Sequence, residues 1–389
     1  MRRRETFLSY GRQTIDDEDI EAVVETLRSP YLTQGPKIEQ FERAVAEYVG
    51  AKYAVAFCNG TAALHGACRA AGIGTGDEAI TSPITFAATS NAVLYCGGRP
   101  VFADIDERTY NLDPAEIERH ITDRTKAVIP VDFAGRPADL DAILEIARRH
   151  GLVVIEDAAH ALGASSGGRK VGSLAHMTIF SFHPVKPVTT GEGGIVTTDS
   201  EYYYERLKRF RSHGIVRTPY SEDQGAWHYE MLELGYNYRM TDIQAALGIS
   251  QLKKLDGFLR RRREIAGMYH EMLSDIPGII TPPADDDRIV SGWHLYMIRI
   301  DSAAIGLSRK QVFEAMRQRN IGVHVHYIPV YWHPYYHGLG YEKGLCPKAE
   351  TYYEQALTLP IFPGMSDEDV EDVVLALREV VNERHRIDR

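Results

Sequence analysis

A single lysine stands between two prolines in the stretch SFHPVKPVTTGEGG, residues 181–194. Proline fixes its own backbone angle and disfavours helix at the residue before it, so Pro184 and Pro187 hold this segment as a stiff, non-helical loop. A solvated surface lysine needs no such support. A nucleophilic lysine must be positioned and kept from water so that its amine can lose a proton. The spacing therefore predicts that Lys186 takes part in chemistry.

Two carboxylates follow a nearly continuous apolar run in LVVIEDAAHA, residues 152–161. Glu156 and Asp157 thus end a predicted strand, where open α/β sheets place the groups that contact ligands. A carboxylate in this place is also a common helix N-cap. Combined with Lys186 downstream, a strand-end aspartate supplies the second group that a pyridoxal phosphate enzyme requires, because it keeps the pyridine nitrogen protonated.

A candidate phosphate site lies in AFCNGTAALHGA, residues 56–67, where a predicted strand passes through Asn59 and Gly60 into a helix. The amides of Thr61, Ala62 and Ala63 would then point out of a helix N-terminus, which favours bound phosphate. The alternative is a plain strand-to-helix turn that uses glycine for its conformation.

Three further patterns have less specific meanings. Phe86 in SPITFAATSNAV follows a strand end, where its ring could stack on a planar cofactor or pack in the core. The glycine run at residues 72–76 ends a helix and precedes a strand, which is the reverse of a dinucleotide-binding fingerprint. His324 and His326 share one face of a predicted strand, but no adjacent carboxylate or cysteine set completes a metal site. We therefore expect no metal, and a hydrogen-bonding or substrate-binding role for these histidines.

The elements that must position these residues alternate between β-rich runs and helical patterns. From Tyr53 to about Thr198 this rhythm predicts a mainly parallel, buried sheet. We expect an α/β fold with a large domain at residues 1–255 and a smaller α+β domain at residues 256–389. In the smaller domain, GWHLYMIRI and IGVHVHYIPV are predicted strands, and a long charged helix is predicted around Phe258–Leu273. The segment GYNYRMTDIQ, with Asn237 and Arg239, reads as a capped helix start.

The composition indicates a globular protein, with 389 residues of which 44% are hydrophobic. The net charge of -10, from 54 acidic and 44 basic residues, argues against a nucleic-acid-binding surface. Four scattered cysteines form neither a zinc motif nor a disulfide framework. No apolar export region follows the basic N-terminal residues, and nothing approaches a membrane span. We therefore expect a cytoplasmic protein with no membrane partner.

The motifs together resemble the sugar-nucleotide aminotransferases of the DegT/DnrJ/EryC1/StrS family, which have the aspartate aminotransferase fold, fold type I of the pyridoxal phosphate enzymes. The likeness extends over nearly the entire chain. It is carried by the segments YLTQGPKIEQFE, NGTAAL, VFADIDERTYNLDP, IEDAAHALGA, SFHPVKPVTTGEGG and GYNYRMTDIQAALG. Any one of these motifs would be weak, but their ordered agreement is specific.

The resemblance implies a role for each matching residue. Lys186 would be the Schiff-base lysine and Asp157 the partner of the pyridine nitrogen, while His160 would lie near the cofactor hydroxyl and Phe86 against the ring. The phosphate would be held by Thr61, Ala62 and Ser181, with Asn237 reaching it from the other subunit of a homodimer. Candidates for contact with the sugar nucleotide are Tyr31, Thr33, His183, Arg239 and His326.

The resemblance further implies amino transfer from L-glutamate, with the cofactor cycling through pyridoxamine 5'-phosphate. SPITFAATSNAVLYCGG, SFHPVKP and VHVHYIPVYWHPYY most resemble the C4 aminotransferases of pseudaminic acid synthesis. Their acceptor is UDP-2-acetamido-2,6-dideoxy-β-L-arabino-hexos-4-ulose, a UDP-linked 4-keto-6-deoxy-N-acetylhexosamine whose amination gives the 4-amino-4,6-dideoxy-N-acetyl-β-L-altrosamine. Alternatives are another nucleotide-linked 4-keto or 3-keto sugar, or a non-catalytic sugar-nucleotide sensor on the same fold. Dehydratases of the family replace the lysine with histidine, so Lys186 favours an aminotransferase.

Overall fold

The computed structural model describes residues 4–387, with side chains described through residue 382. A seven-stranded sheet forms the centre of the larger part of the chain, in the order β1-β7-β6-β5-β4-β2-β3 by our numbering. The strands are β1 (Tyr53–Phe57), β2 (Glu78–Thr81), β3 (Arg99–Phe102), β4 (Thr125–Ile129), β5 (Val153–Asp157), β6 (Met177–Ser181) and β7 (Gly194–Thr198). Only β7 runs antiparallel to its neighbours. The predicted, mainly parallel α/β sheet is confirmed, and each predicted β-rich run overlaps one strand.

Helices cover both faces of this sheet. In β1, Ala56 belongs to a buried cluster with Phe41, while its neighbour Phe57 belongs to another cluster with Phe210. Successive side chains of a strand point to opposite faces, so each face has its own core. The helices before and around the sheet are α1 (Asp17–Arg28), α2 (Pro36–Val49), α3 (Gly60–Ala70), α4 (Ala88–Tyr95), α5 (Pro114–Arg119), α6 (Leu140–His150), α7 (Glu201–Arg211) and α8 (Pro219–Gln224).

The parallel strands bring their carboxyl ends to one edge of the sheet. Asp157 ends β5 and Ser181 ends β6, while β7 begins at the same edge with Gly194. Gly194 pairs with Ser181 on one side and with Phe57 on the other. The catalytic candidates of three strands are thereby gathered at this edge.

One continuous helix, α9, spans Asp242–Leu273. Its N-cap is Thr241, whose hydroxyl accepts from the amide of Gln244 while the Gln244 side chain accepts from the amide of Thr241. The two helices that the sequence predicts in this region are therefore one. The predicted domain boundary after residue 255 falls inside this helix, and the division into two domains stays a prediction.

The C-terminal part is built on a three-stranded antiparallel sheet, β8 (Ile279–Ile280), β9 (Tyr296–Ile300) and β10 (Ala356–Leu359). Its helices are α10 (Ser302–Ile305), α11 (Arg309–Gln318), α12 (Pro334–Gly338), α13 (Pro347–Gln355) and α14 (Asp367–Ile387). Leu8 packs into the core of this part and bridges to Ile321, so residues near the N-terminus belong to it in space.

The predicted strand IGVHVHYIPV is wrong. Residues 321–330 form only isolated bridges, at Ile321 with Leu8 and at His324 with Thr358. In place of a paired strand, this segment borders the cavity described below with His324, His326 and Tyr327, and it packs into the core with Ile321, Val323 and Val330. Two short strand groups complete the fold: Ser165–Ser166, Arg169–Lys170 and Ile289–Val290 form one, and Ile215–Val216 with Glu230–Met231 the other. Across residues 4–387, no helix is both long and apolar enough to span a membrane.

Candidate active site

A cavity of about 510 Å³ lies at the carboxyl edge of the large sheet. It is lined by strand ends, by the loop between β6 and β7, and by the segment after Ile321. Eight of the candidate cofactor-binding, catalytic and substrate-binding residues line it: Thr61, Phe86, Asp157, His160, Ser181, His183, Lys186 and His326. The structure thus brings together residues that are up to 265 positions apart in the sequence.

Lys186 lies in the loop between β6 and β7, in a turn where its amide donates to the carbonyl of His183 at 2.9 Å. Lys186 is half-buried and lines the cavity, and its amine lies deep in the protein. This desolvation disfavours the ammonium form and lowers the pKa of Lys186 from 10.5 to about 7. Asp157 opposes the shift, and the guanidinium of Arg262 adds to it. A large share of the amines is therefore neutral near pH 7, as nucleophilic chemistry requires.

Asp157 ends β5 with its carboxylate on the cavity wall. Oδ2 accepts a hydrogen bond from the hydroxyl of Thr89 at 2.6 Å, and Oδ1 accepts from the amide of Ala159 at 3.2 Å. Burial raises the pKa of Asp157, while these two bonds act in the opposite direction. No helix begins at this point in the described chain, so the N-cap alternative is wrong.

Glu156 is buried on the opposite face of β5. Its Oε2 accepts from the hydroxyl of Thr178 at 2.7 Å, and burial raises its pKa to about 7. The nearby Asp132 is fully buried as well, and its pKa is raised well above the usual value. Of the neighbouring residues Glu156 and Asp157, only Asp157 lines the cavity.

The phosphate candidates surround the start of α3. Thr61 and Ser181 line the cavity, whereas Ala62 is buried and its amide donates to the side chain of Asn59 at 2.8 Å. The surrounding backbone is closely packed, since a Cβ on Gly194 would lie 2.5 Å from the carbonyl oxygen of Asn59. Glycine is therefore required where β7 passes the Asn59 turn.

Phe86 and His160 differ in exposure. Phe86 is 63% exposed and lines the cavity, so the alternative that it packs in the core is wrong. His160 is buried, and its Nδ1 accepts from the amide of Ala134 at 3.2 Å. Burial holds the pKa of His160 well below its ordinary value, so the ring is neutral with its hydrogen on Nε2, 3.3 Å from the hydroxyl of Tyr327.

His326 is buried in the cavity wall, with Nδ1 2.8 Å from the hydroxyl of Thr358. Burial lowers the pKa of His326 to about 3, and its ring stacks on that of His324 with centroids 4.6 Å apart. Both imidazoles line the cavity. Among the described residues, no group of His, Cys, Asp and Glu is arranged to hold a metal ion.

Several predicted residues lie outside this cavity. Tyr31 and Thr33 are exposed, and Thr33 bridges to Thr241. Asn237 is exposed and bridges to Ser212. Arg239 lines a separate cavity of about 630 Å³ beside α2 and α7. The roles of these four residues, and of Ala62, stay predictions.

Sequence reasoning missed three residues of the site. Thr89 is the hydrogen-bond donor to Asp157, Tyr327 contacts His160, and the Nε2 of His294 lies 3.5 Å from the Nζ of Lys186. His294 stands at the start of a predicted apolar strand, and a histidine in such a place was the available signal. Thr89 and Tyr327 carry no comparable signal, because their roles depend on which elements meet in the fold.

The residues present fit pyridoxal phosphate. An amine of lowered pKa, a buried carboxylate and an exposed aromatic ring share one cavity, and the hydroxyls of Thr61 and Ser181 lie beside the closely packed turn at Asn59. These are the groups that the cofactor requires for its aldehyde, ring nitrogen, ring face and phosphate.

Comparison with known proteins agrees with this geometry. The profile of the DegT/DnrJ/EryC1/StrS aminotransferase family matches residues 13–378. The chain belongs to this family. Its members are pyridoxal phosphate-dependent sugar aminotransferases, so the predicted fold type and enzyme class are confirmed.

Three relatives illustrate the similarity. The spore coat polysaccharide biosynthesis protein SpsC of Bacillus subtilis is 46% identical over 385 residues, covering 98% of this chain and 99% of SpsC. The structure is similar to Helicobacter pylori PseC, an aminotransferase involved in the biosynthesis of pseudoaminic acid, with a TM-score of 0.90, 34% identity and coverage of 97% and 100%. It is also similar to the PMP form of the putative sugar aminotransferase Spr1654 of Streptococcus pneumoniae, with a TM-score of 0.91, 30% identity and coverage of 97% and 99%.

Proposed function

We propose that this sugar aminotransferase transfers the amino group of L-glutamate to C4 of a UDP-linked 4-keto-6-deoxy-N-acetylhexosamine. The observation that carries the proposal is the Lys186 amine of lowered pKa, which faces the same cavity as the buried carboxylate of Asp157. The choice of acceptor rests on the sequence resemblance and on the similarity to PseC.

The residues of the cavity have distinct tasks in this proposal. Lys186 would hold the cofactor covalently, Asp157 would bind its ring nitrogen, Phe86 its ring, and Thr61 and Ser181 its phosphate. When bound, pyridoxal phosphate supplies the electron sink for the reaction. The Nζ of Lys186, once free, takes the proton from Cα of the amino donor, and its lowered pKa suits this work near neutral pH.

Product analysis tests the substrate assignment. The purified protein would be incubated with L-glutamate and with UDP-, TDP- or GDP-linked sugars that carry the keto group at C4 or C3. We expect efficient turnover of the UDP-linked 4-keto N-acetyl sugar and a 4-amino product by NMR. A 3-amino product, or preference for another nucleotide, would contradict the assignment.

A matched inactive variant separates the enzyme from a sensor. In Lys186→Arg, we expect the sugar nucleotide to bind while the transfer of nitrogen stops. If the wild-type protein also binds the sugar without forming any amino sugar, the non-catalytic alternative is correct.

We further propose a homodimer in which Asn237 of one subunit reaches the phosphate in the other. Asn237 is exposed and lies outside the cavity of its own chain. Large apolar side chains are also exposed in the segment that precedes Asn237 along the chain, including Trp227 at 80% and Leu234 at 72%. Such a concentration of exposed apolar surface is typical of a protein–protein contact.

Mixing two defective variants tests this arrangement. Lys186→Ala and Asn237→Ala would each be assayed alone and then after exchange of subunits. If Asn237 acts across the interface, mixed dimers contain one intact site, and activity returns to about a quarter of the wild-type value. If Asn237 acts within its own chain, every mixed site carries one defect and activity does not return.

We place the enzyme in the cytoplasm. All four cysteines are free, and Cys68 and Cys346 are buried. Free thiols are typical of proteins in a reducing compartment. Fractionation of cells that produce the protein tests this, and recovery outside the cytoplasm would contradict it.

A further inference from the structure

One imidazole touches the catalytic amine itself. The Nε2 of His294 lies 3.5 Å from the Nζ of Lys186. The other ring nitrogen, Nδ1, is buried and has no hydrogen-bond partner among the described residues. One face of the ring packs against His160, with centroids 4.4 Å apart. Among the described residues, the His294 side chain therefore makes a polar contact only with Lys186.

A buried arginine holds the backbone of this histidine. Arg262 of α9 is 1% exposed, and its Nη1 donates to the carbonyl oxygens of Trp293, His294 and Ile361 at 3.1, 3.3 and 2.9 Å. No carboxylate pairs with Arg262 in the described chain. A buried charge without an ionic partner is costly, so hydrogen bonds to several carbonyls are needed to stabilise it here.

Two backbone hydrogen bonds hold the same segment through the residues that flank Trp293 and His294. The amide of Gly292 donates to the carbonyl of Gly135 at 2.8 Å, and the amide of Leu295 donates to that of Ala134 at 3.2 Å. The amide of Ala134 in turn donates to His160. The backbone of residues 292–295 is therefore held through both its carbonyls and its amides, which fixes the position of the His294 ring next to Lys186.

The ring is neutral in this position. Burial is the main reason that the pKa of His294 lies well below its ordinary value, and the nearby basic groups of Lys186 and Arg262 add to the effect. A neutral imidazole can accept a hydrogen bond from the lysine amine, and in that tautomer the hydrogen is on Nδ1. The other ionisable groups on the cavity wall are Tyr10, Asp157, His160, His183, Glu192, His324, His326 and Tyr327.

We propose that His294 is a catalytic residue that holds the Lys186 amine whenever the amine is free, and that Arg262 is the positioning residue that keeps His294 there. This deepens the proposed function and rests on it, because the amine acts as a base only after the cofactor has released it. The contact would direct the amine while it carries the proton, when an unrestrained lysine side chain could adopt other rotamers.

The test uses the cofactor-free protein and measures the pH dependence of acetylation at Lys186 by peptide mass spectrometry. The exposed Lys310 serves as the internal reference. His294→Phe keeps a ring against His160 but removes the acceptor, so we expect the pKa of Lys186 to fall by about half a unit to one unit. His294→Gln retains an acceptor and should restore most of the shift. An unchanged or raised pKa in His294→Phe would overturn the proposal.

Arg262 acts on Lys186 in two ways, which the variants separate. The loss of charge in Arg262→Met raises the pKa of Lys186, whereas the release of His294 removes an acceptor and lowers it. If Arg262 holds His294 in place, His294→Phe should lower the pKa of Lys186 in the wild-type background but change it little in the Arg262→Met background. Arg262→Lys keeps the charge and its donors, so the effect of His294→Phe should persist there. An equal effect of His294→Phe in all three backgrounds would overturn the positioning role of Arg262. If Arg262→Met does not fold, the comparison of His294→Phe with His294→Gln still decides the role of His294.

Turnover distinguishes this inference from the proposed function. In the holoenzyme, we expect His294→Phe to lower kcat about tenfold with little change in the KM for L-glutamate, and His294→Gln to recover most of kcat. A wild-type protein that transfers no amino group refutes the proposed function. An active wild type with a fully active His294→Phe refutes only the role of His294.

Discussion

Replacing Asp157 with asparagine tests the electron-sink role of this carboxylate with little change in packing. Asp157 accepts from Thr89 at 2.6 Å and from Ala159 at 3.2 Å. The side-chain oxygen of an asparagine can still accept from the amide of Ala159. The hydroxyl of Thr89 can rotate to accept a hydrogen bond from the asparagine NH2 group. What disappears is the buried negative charge that, in the proposed function, binds the cofactor's ring nitrogen.

The expected loss follows from that charge. Leaving a buried cation without its partner costs about 3 kcal/mol, which corresponds to roughly a hundredfold lower turnover. Asp157 also raises the pKa of Lys186, so the variant should have a lower lysine pKa and an amine that is still neutral at pH 7. We therefore expect Asp157→Asn to bind pyridoxal phosphate but to transfer amino groups slowly.

The assay is steady-state turnover together with cofactor binding by equilibrium titration. Glu156→Gln is the matched control, because Glu156 is the adjacent residue, is equally buried and contacts Thr178 rather than the cavity. We expect this control to retain turnover. Turnover of Asp157→Asn within threefold of the wild type, or an equal loss in Glu156→Gln, would refute the reasoning.

Three further predictions concern other residues of the site. Gly194→Ala places a Cβ 2.5 Å from the Asn59 carbonyl, so it should cost about 1–3 kcal/mol of stability and weaken cofactor binding; an unchanged melting temperature would contradict this. Phe86→Ala should weaken cofactor binding about fivefold without changing the melting temperature of the cofactor-free protein, because the ring is exposed; unchanged affinity would argue against stacking. Burial raises the pKa of Glu156 from 4.5 to about 7, so its protonated form contributes stability below pH 4.5 that is lost as the pH rises through 7. Between about pH 5 and pH 8, the melting temperature should therefore fall less in Glu156→Gln than in the wild type. An equal fall in both proteins would contradict the raised pKa of Glu156.

Much of the sheet was predictable because its strands are buried on both faces. Such strands read as continuous apolar runs, as in the residues before Asp157. Lys186 and Asp157 were predictable because each has a local sequence pattern. Prolines flank Lys186, and Asp157 follows an apolar run that predicts a strand. The meeting of these two residues in one cavity depends on the order of the strands, which a single run does not specify.

The sequence did not predict the structure correctly where one local pattern is compatible with two different environments. The arginine-rich stretch of α9 predicts a charged helix, and it gives no indication that one arginine is buried. Arg262 nevertheless falls on the same helical face as the buried Leu255, Leu259 and Tyr269. The helical spacing contained this signal, but a guanidinium is buried only if carbonyls are available to accept from it, and those belong to distant segments. Residues 321–330 alternate like a strand without forming a ladder, because the core and the cavity border them instead of a paired strand.

The most direct test of the central claim is the absorbance spectrum of the purified protein with pyridoxal phosphate. We expect a near-visible band that L-glutamate bleaches and that a UDP-linked 4-keto-6-deoxy-N-acetylhexosamine restores. The same titration in Lys186→Arg should show no such band. A wild-type protein that takes up no cofactor, or whose band does not respond to glutamate, would contradict the assignment of Lys186 and the aminotransferase reaction built on it.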